Sequence, residues 1–190
     1  MQTRHSVLTD KIYLRSLQPT DSSSLALVGD DPSIAPGLVL KPSLPYPYTE
    51  RDALAFIYYA KGTAKKLQRQ EIHYGMFRRD DEQLVGVIGL RNIDRETMTS
   101  SFGYWVGGEY RGQGFGTQAV EKIVELGFTK VKLREIGCHV FRDNYSSLRV
   151  LEKFGFRENL GFVNPFSQRE YMAAQETFGK ETTIYTLTCK

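Results

Sequence analysis

The sequence predicts an α+β, or mixed α/β, fold, and three observations carry that expectation. Short stretches of apolar–polar alternation, each read as a strand, are spread over the whole chain. Leu84-Val85-Gly86-Val87-Ile88-Gly89-Leu90 is almost continuously apolar, the pattern of a central strand covered on both faces. The later part of the chain then alternates strand, helix, strand, helix, after a middle section that reads as antiparallel strands.

Composition sets the outer bounds. A chain of 190 residues is expected to form one domain, residues 1–190, with 41% hydrophobic and 25% charged residues, as in ordinary globular folds. The net charge of +3 leaves no excess that would mark a nucleic-acid or membrane binder. Two cysteines, Cys138 and Cys189, point to a reducing, cytoplasmic setting. Three histidines without a close Cys/His pairing predict no metal site. The first nine residues carry no apolar leader, and no run reaches the ~18 apolar residues that a membrane span requires.

In chain order, residues 11–17 alternate as a strand, and Thr20-Asp21 offers an N-cap for a short helix carrying Leu25, Leu27 and Val28. Residues 30–48 hold Pro32, Pro36, Pro42, Pro45 and Pro47, so a long irregular loop is expected. Its Leu38, Val39, Leu40, Leu44, Tyr46 and Tyr48 are too apolar for a solvated linker, and must cover the sheet or wall a pocket. Thr49 caps the next helix, with Glu50 and Asp52 in its first turn and Ala53, Phe56, Ile57 and Ala60 on one face. Strands are expected at 72–77, 84–90 and 99–106. A helix follows with Ala119, Val120, Ile123, Val124 and Phe128 inward. A strand over 135–141 has Ile136, Cys138 and Val140 on one face. Asn144 then caps a helix reaching Phe154, and 183–189 forms a last strand.

The most informative element is the turn Arg111-Gly112-Gln113-Gly114-Phe115-Gly116-Thr117, where a strand runs through glycines straight into a helix. The first amides of a helix have no internal partner and sit at the positive end of its dipole. Glycines let an anion approach that backbone closely, so the turn suits a phosphate or pyrophosphate, with Arg111 able to add charge. A tight structural turn is the alternative reading. The run ends without Lys-Ser/Thr, so it is no P-loop. Its Gly-x-Gly-x-Gly spacing also departs from the dinucleotide fingerprint.

These residues resemble the pyrophosphate loop of the GNAT N-acetyltransferases, Arg/Gln-x-x-Gly-x-Gly/Ala. Phe102-Gly103-Tyr104-Trp105-Val106 is similar to the strand before that loop, and residues 84–89 to the strand before that one. Asn144-Tyr145-Ser146-Ser147, with Glu152-Lys153-Phe154-Gly155-Phe156 after it, is similar to the family's late helix. Pro45 to Thr49 resembles a segment of the branch containing the ribosomal-protein N-terminal acetyltransferases. The resemblance spans roughly 11–156 and leaves 157–190 divergent.

It implies a twisted, mostly antiparallel sheet splayed near its middle, with acetyl-CoA as co-substrate and an amine as acceptor, a small molecule or a protein N-terminus or lysine. It places the CoA arm beside Trp105 and Val106, the pyrophosphate on Arg111, Gly112, Gln113, Gly114, Phe115, Gly116 and Thr117, and Asn144 and Ser147 near the thiol. Ser147 is the implied proton donor to the departing thiolate, with a helix-surface residue as the alternative. The family's usual tyrosine is replaced by Leu151, which also keeps open an inactive acyl-CoA-binding module. No base is assigned. Glu71, His73 and Asp94 sit near strand ends, where solvated surface groups are expected, and Cys138 reads as a buried structural thiol.

Overall fold

The structure is a computed structural model, and it describes residues 7–39, 44–65, 71–162, 164 and 180–189. Among the described residues eight strands form one sheet: β1 (Val7–Leu8), β2 (Ile12–Arg15), β3 (Ile72–Arg78), β4 (Leu84–Asp94), β5 (Thr99–Val106), β6 (Glu135–Phe141), β7 (Arg157–Glu158) and β8 (Thr182–Thr188). They lie in the order β1-β2-β3-β4-β5-β6-β8-β7, and every neighbouring pair is antiparallel except β5 and β6. The α+β expectation and the splay both hold. β5 and β6 pair only where Thr99, Ser100 and Ser101 meet Glu135, Ile136 and Gly137. Beyond that point β5 stays on β4, and β6 stays on β8 as far as Phe141, so the two strands part like a V.

Four α-helices cover the sheet: α1 (Ser22–Gly29), α2 (Glu50–Lys65), α3 (Phe115–Leu126) and α4 (Tyr145–Lys153). Alternation along the strands divides the core in two. On one face Leu17, Leu25, Tyr48, Ala53, Ile57, Phe77 and Val87 pack under α1 and α2. On the other, Ile88, Leu90, Phe102, Ala119, Val120, Ile123, Ile136 and Leu151 pack under α3 and α4. Residues 84–90 are apolar throughout because β4 serves both cores.

Several local expectations change. Thr20-Asp21 does not cap α1. Pro19–Asp21 forms a 3-10 turn, and the Asp21 carboxylate accepts from the Gln18 amide (2.7 Å) and from both Arg15 guanidinium nitrogens (2.7 and 2.8 Å). Leu27 is 81% exposed, while Leu25 supplies the buried contact of α1. The proline-rich loop is not wholly irregular, since Ala35–Gly37 forms a 3-10 turn; Leu40 and Pro42 lie outside the described residues. α3 ends at Leu126 and passes into a π turn over Gly127–Val131, which carries Phe128. There a Cβ at Gly127 would meet the tip of the Ile136 side chain at 2.6 Å, so glycine lets that side chain pack against the turn.

The expected cap on α4 is present: Asn144 Oδ1 accepts from the Ser147 amide at 3.2 Å. Asn144→Ala should therefore lower stability by about 1 kcal/mol, read from the denaturant midpoint at unchanged slope.

Candidate active site

A cavity of about 800 Å³ runs from the α2 side of the sheet into the V between β5 and β6. Loop residues Val39, Leu44 and Tyr48 and the α2 residues Phe56 and Tyr59 wall one end. Gly89, Gly103 and Trp105 floor it, and Cys138, His139, Asn144 and Ser147 line the end inside the V. The parted strands are what open the second end. Paired strands leave ~5 Å between backbones, which a ligand cannot enter.

Just outside the V, the chain turns at Gly107 and enters α3. Gly112 and Gly114 have φ of +74° and +86°, which L side chains rarely adopt, and a Cβ on either would meet no protein atom within 4 Å. The glycines are therefore needed for backbone conformation, and they leave open space above themselves. The first backbone hydrogen bond of α3 runs from the Gln118 amide to Gly114 O (3.1 Å), so the amides of Phe115, Gly116 and Thr117 have no partner within the helix. Arg111 Nε donates to Val106 O (3.0 Å), and its guanidinium lies 3.8 Å from Asp31. Asp31 also accepts from the Gly108 amide (2.8 Å). Arg111 thus ties the loop to the end of β5.

Inside the V, Tyr104 Oη donates to Ser147 Oγ at 3.3 Å. Burial pushes the Tyr104 phenol up to about 12, the Ser147 contact opposing it, so the phenol keeps its proton throughout the neutral range. Burial likewise pushes the Cys138 thiol up to about 12. It is a structural thiol, as expected, although it also touches the cavity. Leu151 is fully buried in the α3/α4 core and turned away from the cavity wall.

At the α2 end the structure corrects the expectation of solvated carboxylate and imidazole. Glu71 is 7% exposed and His73 is largely buried, and both line the cavity. Glu71 Oε2 accepts from Tyr59 Oη (2.8 Å) and bonds His73 Nε2 (2.7 Å), while Arg91 Nε lies 3.8 Å from Oε1. Burial raises the Glu71 carboxyl, but the His73 bond, Tyr59 and Arg91 outweigh it, and the net direction is down. Asp94 is occupied elsewhere, its Oδ1 accepting from the Glu96 amide (2.8 Å) to shape the β4–β5 turn.

With this geometry in view, the relatives become informative. A family model described as an acetyltransferase (GNAT) domain matches residues 11–157. The chain belongs to the GNAT acetyltransferases. It is 28% identical over 181 residues to the uncharacterised N-acetyltransferase YoaA of Bacillus subtilis, covering 94% of each chain. Among solved structures, the ribosomal-protein-S5-alanine acetyltransferase of Vibrio fischeri superposes with a TM-score of 0.76 at 16% identity, over 97% of this chain and 96% of that one. The spermidine N-acetyltransferase of Vibrio cholerae, in complex with CoA and spermine, superposes with 0.70 at 18% identity, over 95% and 96%. At these identities the superpositions speak for the fold.

In this GNAT chain, Trp105, Val106, the Arg111–Thr117 loop, Asn144 and Ser147 all lie along or beside the V. Sequence reasoning overlooked Tyr104, whose alternation partner Phe102 advertises the same face. It also underrated Glu71, just before β3, and His73 within it, whose i, i+2 spacing in extended chain turns both towards Tyr59 of α2. Tyr46, considered as a pocket wall, is 63% exposed and does not line the cavity. Tyr48 does, at 5% exposure, and fits because Gly29 leaves room for its ring. Tyr46→Ala should leave both the melting temperature and the amine KM near wild type, measured by thermal denaturation and steady-state kinetics.

Proposed function

We propose that this acetyltransferase uses acetyl-CoA, held across the mouth of the V, and delivers its acetyl group to an amine that enters from the α2 side. The carrying observation is a single cavity that joins the α2 face to Ser147 through the parted strands. The open space above Gly112 and Gly114 and the free first-turn amides of α3 suit a pyrophosphate at the V's outer end. Arg111, already bonded to Val106 O, contributes by holding that loop against β5. The unpaired edge of β5 around Trp105 and Val106 suits the extended pantetheine arm, and Asn144 and Ser147 stand at the inner end.

Acetyl-CoA supplies an activated thioester, whose displaced sulfur leaves as a thiolate that requires a proton. In this reading Ser147 gives it. Tyr104 donates to Ser147 Oγ, which leaves the serine's own hydrogen available to another acceptor. The tyrosine missing at Leu151 is thereby replaced by a hydroxyl pair built from β5 and α4, which removes the main argument for an inactive module. A cytoplasmic location fits Cys138 and Cys189, which are not joined in a disulfide. Among the described residues, no helix is long and apolar enough to cross a membrane.

Calorimetry with acetyl-CoA, followed by CoA release with spermidine and with peptides beginning in alanine or serine, tests this reading. Saturable binding and acceptor-dependent release are expected. A folded protein that binds no acetyl-CoA would overturn it.

A further inference from the structure

We infer that His73 is the general base that takes the proton from the acceptor ammonium, and that Glu71 positions it. This rests on the acetyl-transfer reading above and adds to it the group that reading lacks. Three observations converge.

The first is the row of residues that crosses the cavity floor. His73, Gly89 and Gly103 lie side by side on β3, β4 and β5, in register and on the same face of the sheet. A Cβ at Gly89 would fall 2.6 Å from His73 Nδ1, so the imidazole already reaches over β4. A Cβ at Gly103 would meet no heavy atom within 4 Å, so the floor beyond is bare up to the V. Adjacent strands are ~5 Å apart, which leaves about one strand spacing between the imidazole and the unpaired edge of β5. That is room for one amine nitrogen, or for an amine and a bridging water.

The second is the tautomer. The Glu71 carboxylate, bonded by Tyr59 and flanked by Arg91, only accepts hydrogen bonds, so His73 Nε2 carries its hydrogen towards Oε2 at 2.7 Å. Nδ1, the nitrogen over Gly89, is then the one with the lone pair. Glu71 also offsets the positive charge that forms when Nδ1 takes a proton. Tyr59 Oη, on the same Oε2, keeps the carboxylate oriented. Phe56 meets the imidazole edge-on, at 5.5 Å between ring centres.

The third is elimination within the same cavity. His139 is pushed down to about 4, by burial first and by Arg91 next, and so binds a proton too weakly for this task. Glu71 is committed to Tyr59 and His73, and Asp52, also on the cavity wall, to the Thr49 amide and hydroxyl.

The step balances as follows. The acceptor ammonium loses one proton to Nδ1. The nitrogen lone pair forms the C–N bond to the thioester carbonyl carbon, and the C–S bond breaks. The nitrogen sheds its second proton to solvent water as the amide forms, while Ser147 gives its proton to the thiolate and takes one back from solvent. The imidazolium finally gives its proton to solvent.

The test is steady-state CoA release at neutral pH by wild type, His73→Ala and Glu71→Gln. Spermidine is one probe, because its ammonium groups must lose a proton. Hydroxylamine is the other, because it is already neutral. His73→Ala should lower kcat with spermidine by roughly 100-fold or more, leave the acetyl-CoA KM nearly unchanged, and regain part of the rate on addition of imidazole. With hydroxylamine the loss should be under about tenfold. Glu71→Gln should show a smaller loss of kcat with the same probe dependence. An equal loss with both probes and no imidazole rescue, at intact acetyl-CoA affinity, would make His73 structural and overturn the inference. An unchanged kcat would do the same. Calorimetric acetyl-CoA binding by each variant separates these outcomes from a failure of the acetyl-transfer reading itself, which would appear as absent binding in the wild type.

Discussion

Gly114→Val should lower acetyl-CoA affinity at least about 100-fold, equivalent to about 3 kcal/mol, while the chain still folds. Gly114 stands at φ +86°, in the left-handed region, at the residue that opens α3. A β-branched residue there costs about 1–3 kcal/mol in backbone strain. The protein itself offers the new Cβ no clash, since nothing lies within 4 Å of it. Folding is therefore weakened but not blocked. The space the new side chain occupies is the space over the first-turn amides of α3, where an anion must approach to within hydrogen-bond distance. Relief of the strain would rotate those same amides away. Calorimetric titration and a thermal melt on one sample settle the matter. Undiminished affinity in a folded variant would remove the glycine cradle from the site.

The second large effect belongs to the hydroxyl pair. Ser147→Ala should lower kcat by roughly ten- to a thousandfold with little change in the acetyl-CoA KM, as expected when a general acid is lost. Tyr104→Phe should lower kcat by roughly tenfold, because Ser147 keeps its proton but loses the partner that directs it. In the double variant the losses should not add. Once Ser147 is alanine, Tyr104 has nothing to orient, and the shortfall is the coupling energy of the pair. Additive losses would mean that Tyr104 acts on its own account. A near-normal kcat in Ser147→Ala would mean that water protonates the thiolate, and would return Ser147 to its role beside the helix cap.

Much of this molecule was legible in the order of its residues. The apolar run at 84–90 announced a strand shared by two cores, and β4 is that strand. Asn144, three residues before Ser147, announced a capped helix, and the cap bond is made. The glycines at 112 and 114 announced a backbone that only glycine adopts easily, and both have positive φ. In each case the cause lies within a few residues, in alternation, capping or φ. Local patterns therefore report it.

What the sequence left undecided depends on residues brought together from distant places. No spacing rule relates Tyr104 to Ser147, or Tyr59 to Glu71. They meet because β5 and β6 part after residue 101, and because α2 crosses β3. A polar residue at a strand end reads as solvated until a helix is laid over it. Glu71 and His73 became buried that way, and the carboxylate finds its partners in Tyr59 from α2 and Arg91 from β4. Tyr46 and Tyr48 differ by two positions in a loop and are equivalent in composition, yet only Tyr48 finds the hollow left by Gly29. The conformation of Gly112 and Gly114 and the cap on α4 are short-range properties, and the sequence alone determined them. The burial of a polar group and the identity of its partner are properties of the packed chain, and only the tertiary structure decided which residues share the cavity.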